Sequence, residues 1–408
     1  MHWVPILCAL RHNKVGATLI ALQIALTLAV LCNALFIIQQ RTAQSRRPSG
    51  VGDEASVFII SNRWVVNSDD LPAREQTDLA ALRSLPEVAD ATVSNDHPLG
   101  GPVWSEAMLL NPDMPRSGVQ SMVYMMDDHG LDTLGLRLVA GRNFSPADVV
   151  NRHGLADHAG GTLPGIIITQ AAAKRLSATG SVLGHTVLIV PDGISTRIIG
   201  IVDQLMSTPF AGNAPFSQNS IILPYRWADA QIFYVVRARP GQLGAAMVAA
   251  RSKLYDISTQ RIITGMQTLS DSRLDAYRGD RGLAFLMEVV CAILLVVTAF
   301  GIVGLTSYWV AQRRRQIGIR RALGATRGAI LRHFQSENLL ISGAGVAVGV
   351  LLAIAANLWV VRSVALARLP FLYPLIGVAA MLLLGQLAVL WPALRASAVP
   401  PASAARSA

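Results

Sequence analysis

Four apolar stretches decide what this chain can fold into: Ala17 to Ile38, Ala284 to Val310, Leu339 to Val361 and Phe371 to Leu394, each with at most one charge. A hydrocarbon core of about 30 Å is crossed by about 20 helical residues, so each stretch is long enough to span a membrane and too long for an ordinary buried helix. Apolar residues make up 52% of the chain and charged residues 15%, which agrees. The first stretch reads as an uncleaved anchor, because its apolar run exceeds that of a signal peptide and no small-x-small cleavage site follows it. The three cysteines, Cys8, Cys32 and Cys291, all lie in or beside spans. Ordinary packing explains them, and the long segment after the first span folds without disulfides.

Charge sets the expected orientation. Residues 39–283 carry 22 Lys and Arg against 23 Asp and Glu, so the chain's net charge of +10 resides elsewhere. Seven arginines, Arg313, Arg314, Arg315, Arg320, Arg321, Arg327 and Arg332, crowd the loop after the second span. Cytoplasmic loops collect basic residues. The N-terminus, this loop and the C-terminus are therefore expected inside, with residues 39–283 and the turn from Val361 to Phe371 outside. Because the outer segment is nearly neutral, the basic balance is a topology signal and not a nucleic-acid footprint.

The outer segment is large enough to bury its own core. Val57–Ile60 reads as a strand, Asp70–Leu85 as a helix stopped by Pro86, and Ala91–Val93 as a strand. A second such unit follows in Ile232–Val236, Gln242–Tyr255 and Ile262–Thr264. The two β-α-β units, over about 53–102 and 226–269, suggest a split ferredoxin-like lobe around a β-rich insert at about 103–225. In the insert, strands are expected at Met122–Met126, Ile166–Ile168, Val187–Val190 and Arg197–Val202, with a helix at Gln170–Leu176.

No catalytic constellation is visible. His97, His129, His153, His158 and His185 are scattered, and the pair His153/His158 lacks the Cys, His or Asp company of a zinc site. Asp127-Asp128-His129 reads as an exposed turn, and there is no Gly-x-Ser-x-Gly elbow. A Walker A loop needs a Gly-Lys-Ser/Thr sequence, and Lys14, Lys174 and Lys253 have no such setting. ATP hydrolysis by this route is excluded for these residues. Without polar side chains lining the spans, a water-filled ion channel is not expected either.

The basic loop has internal structure. An amphipathic helix from Arg313 ends near Gly324, suited to a left-handed cap, and Thr326 can cap a second helix, Arg327–Asn338. Ile317, Leu323, Ile330, Leu331 and Phe334 supply apolar faces. Attraction to anionic lipid, about 1 kcal/mol per basic residue, does not require two helices with a defined break; a docking surface does. Glu337 has a local partner in Arg332 or His333. Gly345 and Gly349 form a small-xxx-small pair suited to close helix packing, and Glu288 reads as an interfacial carboxylate.

The stretch Gln312 to Glu337, with Ile317-Gly318-Ile319-Arg320-Arg321-Ala322-Leu323-Gly324-Ala325-Thr326-Arg327, resembles the hallmark of MacB/FtsX-type ABC transporter permeases. The likeness extends to Gly343–Gly349, to Trp391-Pro392-Ala393-Leu394-Arg395-Ala396 and, in the outer segment, to Leu134–Phe144, Ile166–Thr169 and Ile198–Val202. Gln316 departs from the acidic residue frequent there. The resemblance implies a membrane protein of four transmembrane helices with a large α+β extracytoplasmic domain between the first and second.

By that resemblance the chain divides into 1–45 (first span and start of a stalk), 46–269 (MacB-like periplasmic domain), 270–310 (stalk and second span), 311–338 (coupling helices), 339–361, 371–394 and a tail at 395–408. It implies residence in a bacterial inner membrane and a cytoplasmic ABC ATP-binding subunit that holds the ATP and Mg, with no cofactor in this chain. A second permease subunit, as homodimer or heterodimer, membrane lipid, and a periplasmic adaptor or enzyme are the other implied partners. The ATPase-coupling residues are then Arg313, Arg314, Arg315, Ile317, Gly318, Arg320, Arg321, Leu323, Gly324, Arg327 and Glu337. The implied role is mechanotransmission, exporting or extracting a hydrophobic, peptide or lipid-linked substrate. The alternative is an FtsX-like scaffold that controls a periplasmic enzyme without transport.

Overall fold

A computed structural model describes residues 14–65, 70–100, 104–110, 118–153, 162–177, 180–207, 217–313, 316–319, 323–364 and 369–397. The chain divides into two compact units, Met1–Ser45 with Asp280–Ala408, and Arg46–Gly279.

The first unit is built on helices α1 (Lys14–Ser45), α7 (Arg278–Gln312), α8 (Arg327–Val364) and α9 (Leu372–Ser397). Each is long and apolar enough to cross a membrane. At 1.5 Å per residue, the 38 residues of α8 extend about 57 Å, well beyond a hydrocarbon core. The helix from Thr326 and the third span are thus one rod, with no break at Asn338. Half of the apolar window of α1 is buried, against 22% for α7. Ile20, Ile24 and Leu28 of α1 share a core with Val346 and Ala353 of α8 and Met381 and Val389 of α9.

Glycines set the close approaches. A Cβ at Gly345 would stand 2.7 Å from the Ala21 carbonyl oxygen, and one at Gly349 would stand 2.9 Å from that of Ala25. Both glycines of α8 therefore let its backbone lie against α1, the contact for which small residues are selected in membranes.

The spans also carry interhelical hydrogen bonds, contrary to the expectation of spans without polar lining. Thr27 and Thr298 pair through their hydroxyls at 2.8 Å. Gln23 donates to the Val297 carbonyl and Asn33 to that of Ala353. These groups join helices instead of facing a water path, since lipid offers them no other partner. At the far end of α1, Arg41 pairs with Asp280 at 2.6 Å.

Among the described residues the second unit holds sheets of four, seven and two strands. Strands β1 (Val57–Trp64), β2 (Val88–Ser94), β12 (Gln231–Ala238) and β13 (Arg261–Thr268) form an antiparallel sheet in the order β13-β1-β12-β2. Helices α2 (Leu71–Arg83) and α5 (Leu243–Ile257) complete two β-α-β crossovers. Strand order 4-1-3-2 is the split ferredoxin-like arrangement.

Residues β3 (Ser105–Leu109), β4 (Val119–Met125), β5 (Leu138–Gly141), β7 (Ile166–Thr169), β8 (Thr186–Val190), β9 (Ile194–Val202) and β10 (Ser220–Leu223) make the second sheet, in the order β5-β9-β7-β10-β4-β3-β8. A further β8–β9 pairing closes six of them into a barrel, which removes free edges. A parallel ribbon of β6 (Val150–His153) and β11 (Tyr225–Ala228) lies beside it. Short helices α3 (Gly130–Leu134) and α4 (Gln170–Leu176) complete this part. Val123 and Met125 enter one core while Met122 and Tyr124 enter another. Burial on both faces is why such strands read as continuous apolar runs instead of alternating ones.

Helix α6 (Leu269–Ala276) opens on a capping box made by Thr268 and Asp271. Tyr277 separates it from α7.

Candidate coupling site

Helical hydrogen bonding continues past α7, with Arg313 N donating to Trp309 O and Ile317 N to Arg313 O. Residues 316–319 are helical, and Leu323 N donates to Ile319 O. The segment turns at Gly324, whose φ of 96° lies in the left-handed region that a β-carbon disfavours. Thr326 then opens α8: its hydroxyl accepts from Ala329 N at 3.3 Å. Ile317 is buried in a cluster with Ile330 and Phe334, and Gly318 is buried beside it. The turn therefore shares an apolar cluster with the first coils of α8.

A charge pair adds to that association. Arg313 Nη1 donates to both Glu337 carboxylate oxygens at 3.0 Å. The Glu337 side chain is 3% exposed and that of Arg313 17%. Glu337 is thus paired with Arg313, across the turn. The Arg332 guanidinium turns back to the Gly328 carbonyl. His333 stacks edge-on against Phe334. Sequence spacing pointed to the local partners because i,i+4 neighbours are visible in a sequence, whereas a contact spanning 24 residues is not.

The remaining sequence-predicted residues separate by exposure. Leu323 is 83% exposed and Ile319 51%, and Gln316, Gly324 and Arg327 are exposed with them. Arg314, Arg315, Arg320 and Arg321 lie outside the described residues. The site therefore has a buried half, which attaches the turn to the bundle, and an outward half carrying Ile319, Leu323 and Arg327. Gly345 and Gly349 stand on α8 against α1, away from the turn in sequence. Glu288 is exposed on α7.

In the other unit the acidic triplet is not an exposed turn. Asp127 is fully buried, and its carboxylate accepts from Arg83, from the Thr92 hydroxyl and from the His129 amide. The triplet therefore anchors α3 and carries no reactive pair. Asp78, Arg261 and Tyr234 form a second buried network: both guanidinium nitrogens of Arg261 donate to Asp78 at 2.7 and 2.8 Å, and the Tyr234 hydroxyl donates to the same carboxylate. Trp64 covers the Arg261 guanidinium at 4.3 Å. Burial pushes the carboxyl of Glu75, one turn before Asp78 on the buried face of α2, well above the usual range, against the attraction of Arg226. Among the described residues no group of three or more His, Cys, Asp or Glu side chains could hold a metal ion.

Comparison with known proteins bears on the whole chain. The MacB-like periplasmic core domain profile matches residues 18–253, and the FtsX-like permease C-terminal profile matches residues 288–401. A macrolide export ATP-binding/permease protein MacB of Chromobacterium violaceum is 26% identical over 234 residues, covering 54% of this chain and 32% of that protein. The protein of the same name from Burkholderia cenocepacia is 26% identical over 300 residues, covering 70% and 39%. A probable syringafactin export ATP-binding/permease protein SyfD of Pseudomonas syringae is 24% identical over 299 residues, covering 68% and 39%. The chain thus spans about a third to two fifths of the length of these relatives. Among solved structures, the periplasmic region of MacB from Actinobacillus actinomycetemcomitans aligns with 55% of this chain and 94% of its own, at 14% identity and a TM-score of 0.33. With one profile covering more than half of the residues and the second most of the rest, the chain belongs to the MacB/FtsX family of ABC transporter permeases.

Proposed function

We propose that the chain is the mechanotransmitting permease part of an ABC exporter, in which an ATPase acts on residues 313–337 and α7 carries the displacement outward. The observation that carries this reading is the double attachment of the turn. A shared apolar cluster (Ile317 with Ile330 and Phe334) and a largely buried ion pair (Arg313–Glu337) join the end of α7 to the start of α8. A push on the turn is then delivered to both helices instead of being lost in a loose loop. The weaker burial of α7, compared with α1, favours α7 as the moving element. Ile319, Leu323 and Arg327, exposed on the outward half, would meet the ATPase. The basic loop supports a cytoplasmic position for this face.

The ATPase lies outside these residues, which contain no Walker A lysine setting. The relatives named for macrolide and syringafactin export support a hydrophobic, peptide or lipid-linked substrate. Purification of the tagged chain in mild detergent, with mass spectrometry of copurifying proteins and an ATPase assay, tests the assignment. A nucleotide-binding subunit should accompany the wild type and be lost with Leu323→Glu or with Arg320→Glu/Arg321→Glu. A folded, membrane-inserted wild type that brings no ATPase refutes it.

A further inference from the structure

Polar atoms without partners gather beneath helix α2. Asn62 on β1 and Glu75 on α2 are both 0% exposed. Among the described residues, neither amide atom of Asn62 and neither carboxyl oxygen of Glu75 has a hydrogen-bond partner, and the same holds for the buried Nε of Arg226 on β11. Folded proteins satisfy nearly all such atoms, with water where the chain itself offers nothing.

Packing sets Asn62 and Glu75 against each other. Alternation along β1 puts Ile60, Asn62 and Trp64 on one face, and helical spacing puts Leu71, Glu75 and Leu79 on the buried face of α2. Trp64 and Leu71 share one apolar cluster, and Ile60 and Leu79 share another. The strand rises about 13 Å from Ile60 to Trp64 and the helix about 12 Å from Leu71 to Leu79, so the two intervals match in antiparallel sense. Asn62 and Glu75 are their midpoints. Ala228 of β11 joins the Trp64–Leu71 cluster, and Arg226, two residues before it on the same face, attracts the Glu75 carboxyl.

The neighbouring donors are engaged next door: the Tyr234 hydroxyl and the Arg261 guanidinium are bonded to Asp78. An amide and a carboxyl that oppose each other without bonding stand farther apart than one hydrogen bond, and one bridging water spans about 5–6 Å between two polar atoms. Water also suits every group present. It donates to Asn62 Oδ1 and the carboxyl, accepts from Asn62 Nδ2 and Arg226 Nε, and fits the carboxyl with or without its proton. A cation is disfavoured by the Arg226 charge.

We propose that Asn62, Glu75 and Arg226 enclose an internal hydration site, in which ordered water joins β1 to α2 in place of direct side-chain contacts. At about three bonds per water, these atoms call for about two waters.

X-ray radiolytic footprinting of the full chain in detergent, read by mass spectrometry, tests the site, because hydroxyl radicals formed from bound water oxidise the side chains beside it. Ile232, opposite Asn62 on β12, and Leu79, one turn after Glu75, are 1% and 2% exposed and should be oxidised in the wild type. Ile168 and Leu223 of the barrel, at 0% and 1%, are the matched references and should stay unlabelled. Asn62→Leu/Glu75→Met, which puts apolar groups of similar size in place of the polar ones, should lose the label at Ile232 and Leu79. Wild-type labelling of Ile232 and Leu79 no higher than that of Ile168 and Leu223 overturns the proposal, and this comparison needs no variant. A folded double variant that keeps the label overturns it as well.

Discussion

Separating Arg313 from Glu337 is the sharpest test of the coupling turn. The Glu337 carboxylate is 3% exposed and receives two 3.0 Å contacts from one guanidinium nitrogen. Arg313→Ala leaves that carboxylate buried without its cation, a change that costs about 3–5 kcal/mol. Glu337→Gln should cost less, about 1–3 kcal/mol, because the arginine is the more exposed partner and can turn toward water. The double variant Arg313→Ala/Glu337→Gln should be little worse than Arg313→Ala alone, giving a coupling energy above about 1 kcal/mol. Cys32 and Cys291 are buried in the helical unit, so a thiol-reactive fluorophore reports its unfolding on heating in detergent. Additivity of the two single variants within about 0.5 kcal/mol would refute the claim that the pair fastens the turn. If the pair also transmits force, the variants should lower ATP-driven transport under conditions where they remain folded.

Three further outcomes follow from packing and charge. Gly345→Val should prevent close approach of α8 to α1, because even a Cβ would meet the Ala21 carbonyl oxygen at 2.7 Å; Gly343→Ala, with open space around it, should be tolerated, and the yield of monodisperse protein in detergent compares them. Asp78→Asn should destabilise the sheet-rich unit by about 3–5 kcal/mol, since both nitrogens of a fully buried Arg261 lose their charged acceptor; chemical denaturation followed by tryptophan fluorescence measures it. Glu75→Gln should stabilise that unit at neutral pH and flatten its pH dependence: the raised carboxyl pKa means that folding loses stability as the pH rises above the unfolded value, and thermal melts from about pH 5 to pH 8 show the difference.

The spans and the main strands were legible because they depend on local pattern. An uncharged run such as Leu339–Val361 has one membrane reading, and Ile166-Ile167-Ile168 between turn signals has one strand reading. Boundaries set by tertiary contact were less accessible. Strands β3, β6 and β11 carry Glu106, Arg152 and Arg226, charges that argue against a buried strand until their partners are known. Helix α2 was legible at Asp70–Leu85, but the charges on its buried face were not: Glu75 and Asp78 stand there beside Leu71, Leu79 and Leu82. Each of these positions departs from hydrophobic patterning by placing a charge inside. Only the fold shows which charges are matched, as at Asp78, and which are not, as at Glu75.

The same distinction separates the two halves of the coupling turn. Seven arginines in a short loop look equivalent in sequence, and topology alone accounts for a net positive loop. Arg313 nevertheless stands apart, because its guanidinium is committed inward to Glu337, whereas Arg327 faces solvent. Replacing Arg313 should therefore act through the bundle and reduce thermal stability. Replacing Arg327 should leave the melting profile unchanged and alter only what docks from outside, because surface substitutions away from buried networks change stability by no more than about 0.5 kcal/mol. If Arg327→Glu destabilises the protein as much as Arg313→Ala, the division of the turn into an attaching half and a docking half is wrong. If Arg327→Glu leaves the melt intact and lowers ATPase association, the basic loop has two functions that its charge alone does not distinguish.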